Sequence, residues 1–350
     1  MDRRENKLRA IRFEKPEYIP MGFWVNPACW HHYPQDALQD LMEGHPLLFP
    51  DFKRTDKEIT PQYKPYEIAN KPYTDPWGCV WKTADDGITG VVVEHPLEDW
   101  DALDTLKVPD PEKSTGRVPL DWEKIRHRFQ NARKEHRVAE ASLEHGHTFM
   151  LLSDLRGYEN ILFDMASEEP KLEKLIELVE EFNMSLIKRY ISSGAELMCY
   201  PEDLGMQVGP MLSPDHFRQY IKPSYQRLMQ PAREKGIIVH MHSDGDIRTL
   251  LDDIIDGGVE VINLQDLVNG IDWIQQKLAG KVCIDLDIDR QKITRFGTPE
   301  QIDGLIREEI EKLASKEGGL MMIFGLYPGT SLENVKALMD AMEKYAGFYA

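Results

Sequence analysis

The strongest chemical signal in the sequence is a pair of histidines followed by acidic residues. His240 and His242 are two residues apart, and Asp244 continues the same spacing. Residues two apart on a β-strand share a face, so we expect these three side chains to point the same way. Imidazole and carboxylate groups at this spacing offer two or three ligands to a divalent metal such as zinc. A metal-free polar site is the alternative, and we expect Asp246 to cap a helix that begins near Ile247.

Carboxylates also follow two other predicted strands. Glu202 and Asp203 come directly after one of them, and adjacent carboxylates at a strand end need water, a partner or a cation. Asp285, Asp287 and Asp289 alternate with apolar residues, which places them on one face of a strand. An EF-hand is excluded because its later Gly and Glu are absent. We predict Glu202 as a catalytic residue and metal ligand beside His240, His242 and Asp244, with an ordinary surface loop as the alternative.

A second set of residues is predicted to bind substrate. Trp24 follows the first strand and offers an aromatic wall, although ordinary packing is the alternative. Arg156 can hold a carboxylate through two hydrogen bonds or pair structurally with Glu159 or Asp154. The predicted substrate-binding residues are Trp24, Asn26, Arg156, Tyr200, Asp203, Asp287 and Tyr327.

The elements that must position these residues alternate between strands and helices. Seven strands are predicted at 18–24, 137–142, 196–200, 237–242, 259–264, 281–288 and 319–324, with an eighth near 147–152. Helices are predicted at 153–165, 170–192, 214–235, 247–256, 271–278, 299–315 and 332–345. This alternation favours a single α/β domain over residues 1–350, a (β/α)8 TIM barrel, over an open doubly wound sheet. Residues 34–136 form an insertion after the first strand, with a β-hairpin at about 75–95.

Charge and composition exclude several classes of function. The formal net charge of −18 disfavours binding to nucleic acid and to anionic membranes. No apolar run approaches the roughly 20 residues that span a bilayer. The N-terminus lacks the apolar core of a secretion signal, so we expect a cytoplasmic protein. The four cysteines follow neither a disulfide nor a zinc-pair spacing, and the sequence leaves a homodimer open.

Several motifs in order along the chain resemble the uroporphyrinogen decarboxylase superfamily, which includes cobalamin-dependent methyltransferases. The motifs are DPWGCVW at 75–81, LRGYEN at 155–160, DLGMQVGP at 203–210 with SP at 213–214, HSDGDI at 242–247, IDRQ at 288–291, FGTPE at 296–300 and ENV at 333–335. The resemblance spans nearly the whole chain. It implies a (β/α)8 barrel whose strand ends form a deep cleft.

Two branches of this superfamily imply different chemistry. Its decarboxylases carry an arginine-rich stretch after the first strand, where this chain has GFWVNPA at 22–28. Its methyltransferases carry a His–x–Cys pair and a later Cys that bind zinc. By this resemblance His242 matches the histidine, Asp244 stands in the first cysteine position, and the later cysteine falls near Phe324 and Gly325. The resemblance therefore implies a methyltransferase with zinc in a harder, oxygen-rich site, and a cobalamin on a partner protein.

The predicted function is transfer of a methyl group from a small methoxylated or methylated substrate to a corrinoid protein. His242 and Asp244 are the residues best placed to assist the leaving group, directly or through a metal. Decarboxylation of a tetrapyrrole is the alternative enzyme activity, and a non-catalytic corrinoid- or porphyrin-binding module is the alternative of a different class. Glycoside hydrolysis rests on fold analogy alone.

Overall fold

The computed structural model describes residues 1–348 as an α/β protein with two separate sheets. Its strands are β1 (Met21–Val25), β2 (Tyr73–Thr74), β3 (Val80–Lys82), β4 (Val91–Glu94), β5 (Glu140–Ser142), β6 (Leu197–Pro201), β7 (Ile238–Ser243), β8 (Val261–Gln265), β9 (Cys283–Asp287) and β10 (Leu320–Leu326). Strands β2, β3 and β4 form a small antiparallel sheet, and the other seven belong to one larger sheet. In residues 1–348, no helix has the length and apolar character that crossing a membrane requires.

Fifteen α-helices within the described residues connect and cover these strands. They are α1 (Arg3–Arg12), α2 (Cys29–His32), α3 (Gln35–Gly44), α4 (Trp122–Lys134), α5 (Phe149–Arg156), α6 (Tyr158–Ser167), α7 (Pro170–Ser193), α8 (Pro214–His216), α9 (Lys222–Glu234), α10 (Leu251–Asp256), α11 (Asp266–Asn269), α12 (Ile271–Leu278), α13 (Ile293–Phe296), α14 (Pro299–Leu313) and α15 (Leu332–Ala346). A π-helical segment, Phe217–Ile221, joins α8 to α9, and the segments Pro65–Glu67 and Trp100–Thr105 are 3₁₀-helical.

The chain divides into two compact units. The first comprises Met1–Tyr63, Asp86–Ile88 and Asn263–Ala350. In it β1 pairs with β10 and β10 pairs with β9, all in parallel. Helix α14 packs against α12 and α15, and α15 packs against β1. Parallel strands covered by helices are apolar along their length, and every residue of β10 except Ile323 is buried.

The second unit comprises Lys64–Asp85 and Thr89–Ile262. Its strands β5, β6 and β7 pair in parallel in that order. Helix α7 packs against α5 and α9, and α9 packs against β7. Because parallel strands all end at the same edge of a sheet, the residues that follow β5, β6 and β7 are brought together.

The insertion contains the expected hairpin, built around a buried carboxylate. Strand β3 pairs antiparallel with β4, as predicted, and β2 adds a third strand. Asp75 is buried and accepts hydrogen bonds from the Trp77 and Cys79 amides and from Trp81 Nε1. The guanidinium of Arg117 lies 4.4 Å from the Trp81 ring centroid. The DPWGCVW motif is thus explained by a turn that one aspartate holds together.

The seven predicted strands are confirmed, whereas the eighth is wrong. Residues 147–152 contribute to helix α5, whose apolar side is buried at Phe149, Leu152 and Leu155. The helix predicted at 153–165 is two helices, α5 and α6, because the chain turns at Gly157 with φ 93°. A positive φ of this kind is disfavoured for residues with a Cβ atom.

Candidate active site

Three side chains from consecutive parallel strands of the second unit converge on one carboxylate oxygen. His145 follows β5, Asp203 follows β6, and His242 lies near the end of β7. Asp203 Oδ1 is 3.3 Å from His145 Nε2 and 3.5 Å from His242 Nε2. The two imidazole rings are 5.4 Å apart. His242 Nε2 is also 3.6 Å from Asp244 Oδ1. We call His145, Asp203 and His242 the imidazole–carboxylate cluster.

The loops after β6 and β7 hold this cluster by direct backbone contact. The amide of Asp244 donates to Asp203 Oδ1 at 3.1 Å, and the amide of Gly205 donates to the Asp244 carbonyl at 3.2 Å. A Cβ atom on Gly205 would lie 2.4 Å from the Asp246 nitrogen, and one on Gly245 would lie 2.1 Å from the Gly205 carbonyl carbon. Only glycine allows such an approach. The two glycines therefore fix the position of Asp203 relative to the end of β7.

The predicted helix cap at Asp246 is wrong. Helix α10 begins at Leu251, with Leu250 at the capping position. Asp246 instead accepts hydrogen bonds from the Gly209 and Arg248 amides and forms an ion pair with the Arg248 side chain at 2.7 Å. It ties the two loops together rather than starting a helix.

Opposing influences act on the Asp203 carboxyl group. Burial alone would raise its pKa, but hydrogen bonds and charge from His145 and His242 outweigh that effect and hold the pKa well below its usual range. Asp203 is therefore an anion across the physiological pH range. A fixed carboxylate between two imidazoles can stabilise a proton on either ring or a cation between them.

Glu202, the neighbour of Asp203, lies in a different environment. Its side chain is fully buried, and Oε1 accepts hydrogen bonds from the Thr148 and Met150 amides at the start of α5. Oε2 accepts the hydroxyl proton of Tyr225 at 2.5 Å. His147 Nε2 lies 4.0 Å away, and burial lowers the pKa of that imidazole. These contacts favour a structural role for Glu202 rather than the predicted catalytic and metal-binding one.

Three further predicted residues of the second unit are engaged away from the cluster. His240 Nδ1 lies 3.2 Å from Cys199 Sγ. Tyr200 is fully buried and its hydroxyl donates to the Leu228 carbonyl of α9 at 3.1 Å. Arg156 pairs with Asp164 at 2.9 Å and donates to the Leu97 carbonyl, so its partner is neither Glu159 nor Asp154. These contacts engage Tyr200 and Arg156 within the protein, and their contacts with substrate stay predictions.

In the first unit, the strand ends carry aromatic and guanidinium groups. Trp24 at the end of β1 and Tyr327 after β10 are both partly exposed, and their rings meet edge to face at 5.2 Å. The Arg290 guanidinium lies 5.8 Å from the Tyr327 ring centroid and pairs with the buried Asp287 at 2.7 Å. We call Trp24, Tyr327 and Arg290 the aromatic–arginine face. A Cβ atom on Gly325 would lie 2.6 Å from the Trp24 ring, so this glycine makes room for the indole.

Asn26, which was also predicted to bind substrate, is buried by the turn that follows β1. Its Oδ1 accepts the Ala28 amide at 2.8 Å, and its Nδ2 donates to the Gly87 carbonyl at 3.0 Å. Both polar ends of this amide are used within the first unit. These contacts favour a structural role.

Sequence reasoning missed two residues of these sites. His145 lies in a loop after a strand of only three residues, and its signal was an imidazole at a strand exit in the segment Glu144 to His147. Arg290 directly follows the alternating aspartates of β9, and its signal was a cationic side chain beside carboxylates at a strand end. Both positions follow the carboxyl ends of parallel strands, which is where TIM-barrel enzymes place reactive groups.

The residues at the strand ends differ from the metal ligands that the family resemblance implies. Neither expected thiolate exists, because Asp244 occupies one position and Phe324 and Gly325 lie at the other. His145, Asp203 and His242, however, each offer one ligand atom, and these atoms all lie within 4.8 Å of one another. The donor set fits a divalent cation of the kind that imidazole and carboxylate ligands bind.

Comparisons with known proteins agree with this architecture. A uroporphyrinogen decarboxylase from Thermus thermophilus is 26% identical over 268 residues, which cover 73% of this chain and 72% of that protein. The methylcobamide:CoM methyltransferase MtaA of Methanosarcina barkeri is 23% identical and covers 56% of this chain and 55% of its own. A methyltransferase structure from Methanosarcina mazei matches 100% of both chains with a TM-score of 0.69 at 18% identity.

The structural match shows the fold alone, and it confirms the predicted α/β class of TIM-barrel type. The two relatives have different activities and similar identities, so neither decides the reaction. The family itself is shown by a family model, described as uroporphyrinogen decarboxylase (URO-D), that matches residues 77–345. The chain therefore belongs to the uroporphyrinogen decarboxylase (URO-D) family.

Proposed function

We propose that this chain is a methyltransferase that moves a methyl group from a small methoxylated or methylated substrate to a corrinoid carried by a partner protein. The observation that carries the proposal is the imidazole–carboxylate cluster, because it offers acid or cation chemistry at the strand ends. The relatives named as methyltransferases are compatible with this assignment.

The proposed role of the cluster is to assist the leaving oxygen or nitrogen. When a methyl–oxygen bond breaks, the oxygen becomes an alkoxide or phenoxide and needs a proton or a cation. His242 can hold that proton at Nε2, since the anionic Asp203 lies 3.5 Å away and Asp244 lies 3.6 Å away. A divalent metal bound here would act as a Lewis acid on the same oxygen. The corrinoid supplies the acceptor for the methyl group.

The proposed role of the aromatic–arginine face is recognition. The partly exposed rings of Trp24 and Tyr327 offer planar apolar surface to a ring or chain of the substrate. Arg290 adds a positive charge that attracts an anionic substituent, and Asp287 fixes the orientation of its guanidinium. We propose that this face binds a planar or anionic molecule, whereas the imidazole–carboxylate cluster acts on the bond that breaks.

Tetrapyrrole decarboxylation is the second candidate, favoured by the identity with the Thermus enzyme. It requires cations that clamp several substrate carboxylates. In the second unit, Arg117 pairs with Asp154 and Arg156 pairs with Asp164, and each side chain is about a tenth exposed. These arginines are therefore engaged within the protein, which argues against this candidate.

The test is an assay of the purified chain with cob(I)alamin as methyl acceptor and a panel of methoxylated and N-methylated compounds. We expect the absorbance change from cob(I)alamin to methylcobalamin with some members of the panel. His242→Ala should abolish it, and His127→Ala on the exposed side of α4 should not. Release of CO₂ from uroporphyrinogen without methyl transfer would establish the decarboxylase instead. A spectral change on binding a corrinoid, without turnover of either kind, would indicate a binding module.

A further inference from the structure

We propose that His145, Asp203 and His242 together bind one divalent first-row metal ion. This ligand set differs from the predicted one, which combined His240, His242, Asp244 and Glu202. It also differs from the two thiolates and one imidazole that the family resemblance implied. Metal binding is inferred from the geometry of these three side chains, while the role of the metal in catalysis rests on the proposed function.

The spacing of the ligand atoms fits a metal ion. A charged hydrogen bond between nitrogen and carboxylate oxygen is about 2.7–2.9 Å long. The distances from Asp203 Oδ1 to the two histidine nitrogens are longer, at 3.3 and 3.5 Å. Ligands bonded at about 2.0–2.2 Å to a tetrahedral metal lie about 3.3–3.6 Å from one another. The observed separations therefore match those of ligand atoms that surround a common ion.

The three ligands are held in place by the strands and by a backbone hydrogen bond. His145 and Asp203 follow β5 and β6, and His242 lies in β7, so three neighbouring parallel strands set the positions of the ligands. The Asp244 amide donates to Asp203 and thereby holds the carboxylate in place. Metal ligands commonly need such an outer hydrogen bond, because it orients the ligand before the ion arrives.

The chemistry of the donor atoms also suits a divalent metal ion. Two imidazoles and a carboxylate form a borderline-hard set that suits Zn²⁺, Fe²⁺, Co²⁺ or Mn²⁺. The side chains of His145, Asp203 and His242 remain 41%, 26% and 19% exposed, which leaves room for water or a substrate oxygen to complete the coordination. A catalytic site has this open position, whereas a structural zinc site is closed. The inferred metal therefore suits an oxygen-containing substrate better than a thiol.

Two of the predicted metal ligands, Glu202 and His240, lie outside the inferred site. Both oxygens of Glu202 already accept hydrogen bonds from the start of α5 and from Tyr225. His240 Nδ1 lies beside Cys199 Sγ, and His240 does not belong to the group of side chains whose ligand atoms converge. His240→Ala is thus a matched control, since it removes an imidazole from the same strand as His242.

The experiment uses the full chain without a histidine tag, dialysed against chelator and then titrated with Co²⁺ and with Zn²⁺. We expect about one ion per chain by mass spectrometry and a visible Co²⁺ absorption band. His145→Gln, Asp203→Asn and His242→Gln should each weaken binding by more than about 100-fold, whereas His240→Ala should bind as the wild type does. A cooperative thermal unfolding transition in each variant shows that it is folded. Loss of binding in His240→Ala, or its retention in the three ligand variants, overturns the inference, as does a wild type that binds neither metal.

The outcome separates this inference from the proposed function. Stoichiometric metal lost only in the three ligand variants, without methyl transfer to any substrate, supports the site and refutes the function. Methyl transfer by a chain that binds neither Co²⁺ nor Zn²⁺ supports the function through a proton on His242 and refutes the metal. Because metal binding is measured without substrate or corrinoid, neither result depends on the other.

Discussion

The strand ends of the two units carry different kinds of side chain. After β5, β6 and β7, two imidazoles surround an anionic carboxylate, whereas β1, β9 and β10 lead to two aromatic rings and a guanidinium. The first set can hold a proton or a metal, and the second can hold a planar or anionic molecule. One fold type can thus place proton or metal chemistry on one set of strand ends and aromatic and cationic side chains on another.

The largest effect is expected in the imidazole–carboxylate cluster. His242→Ala removes the group proposed to assist the leaving oxygen, so we expect kcat to fall by about 10²–10⁴. The KM should change little, because the removed imidazole is proposed to act on the leaving oxygen and not on the binding of the donor. Steady-state kinetics with a methoxylated substrate measures both constants. His127→Ala is the control, and a near-normal kcat in His242→Ala would remove the imidazole–carboxylate cluster from the mechanism.

The next effect separates two adjacent carboxylates, Glu202 and Asp203. Glu202→Ala leaves two backbone amides and the Tyr225 hydroxyl without their acceptor, so the free energy of unfolding should fall by about 3 kcal/mol. Asp203→Asn keeps an acceptor for the Asp244 amide and should lose less than about 1 kcal/mol. Urea denaturation compares the two. Equal losses would mean that both carboxylates are structural.

A smaller effect is expected at Arg290. Arg290→Gln removes the positive charge of the aromatic–arginine face, so KM for a carboxylated methyl donor should rise about tenfold relative to a neutral donor of the same size. The kcat for both donors should stay within about twofold. Arg126→Gln on the surface of α4 is the control for charge. If KM rose equally for the neutral donor, Arg290 would shape the protein rather than bind an anion.

The smallest effect is expected at Trp24. Trp24→Leu keeps apolar surface but removes the indole face, and aromatic contacts contribute about 0.5–1.5 kcal/mol, so KM for an aromatic donor should rise about three- to tenfold. Trp24→Phe should recover most of the loss. A KM that is unchanged in Trp24→Leu would show that the indole packs against Tyr327 without contacting substrate.

The fold was largely predictable because the seven strands are short apolar runs between helices of clear periodicity. The wrong eighth strand has a physical reason. Phe149, Leu151 and Leu152 are all buried. In a short run that is apolar at most positions, the spacing of apolar residues does not distinguish a strand from a helix. The run continues into α5, which ends only at Arg156. Its end at Gly157 could not be located from apolar spacing alone.

The site was only partly predictable. The position of a residue at a strand end marks it as a candidate site residue but does not tell which way its side chain points. Asp203 and His242 were selected for their place after a strand, and they meet. Tyr200 and Glu202 were selected in the same way, yet both are fully buried. Successive residues of a strand point to opposite faces. Tyr200 and Glu202 therefore lie on one face, and Cys199 and Asp203 lie on the other. When this alternation is extended past the end of β6, it places Glu202 with the buried side chains and Asp203 with the imidazole–carboxylate cluster.

The most direct test of the central claim is a single-turnover measurement with a substrate whose methoxy group carries deuterium. The chain is mixed with cob(I)alamin, and the deuterated methyl group is followed by mass spectrometry. The account predicts that the label appears on the corrinoid with the wild type and with Trp24→Leu at saturating substrate, and that His242→Ala slows its appearance at least about 100-fold. Equal rates in His242→Ala and the wild type, or label that never leaves any substrate, would contradict it.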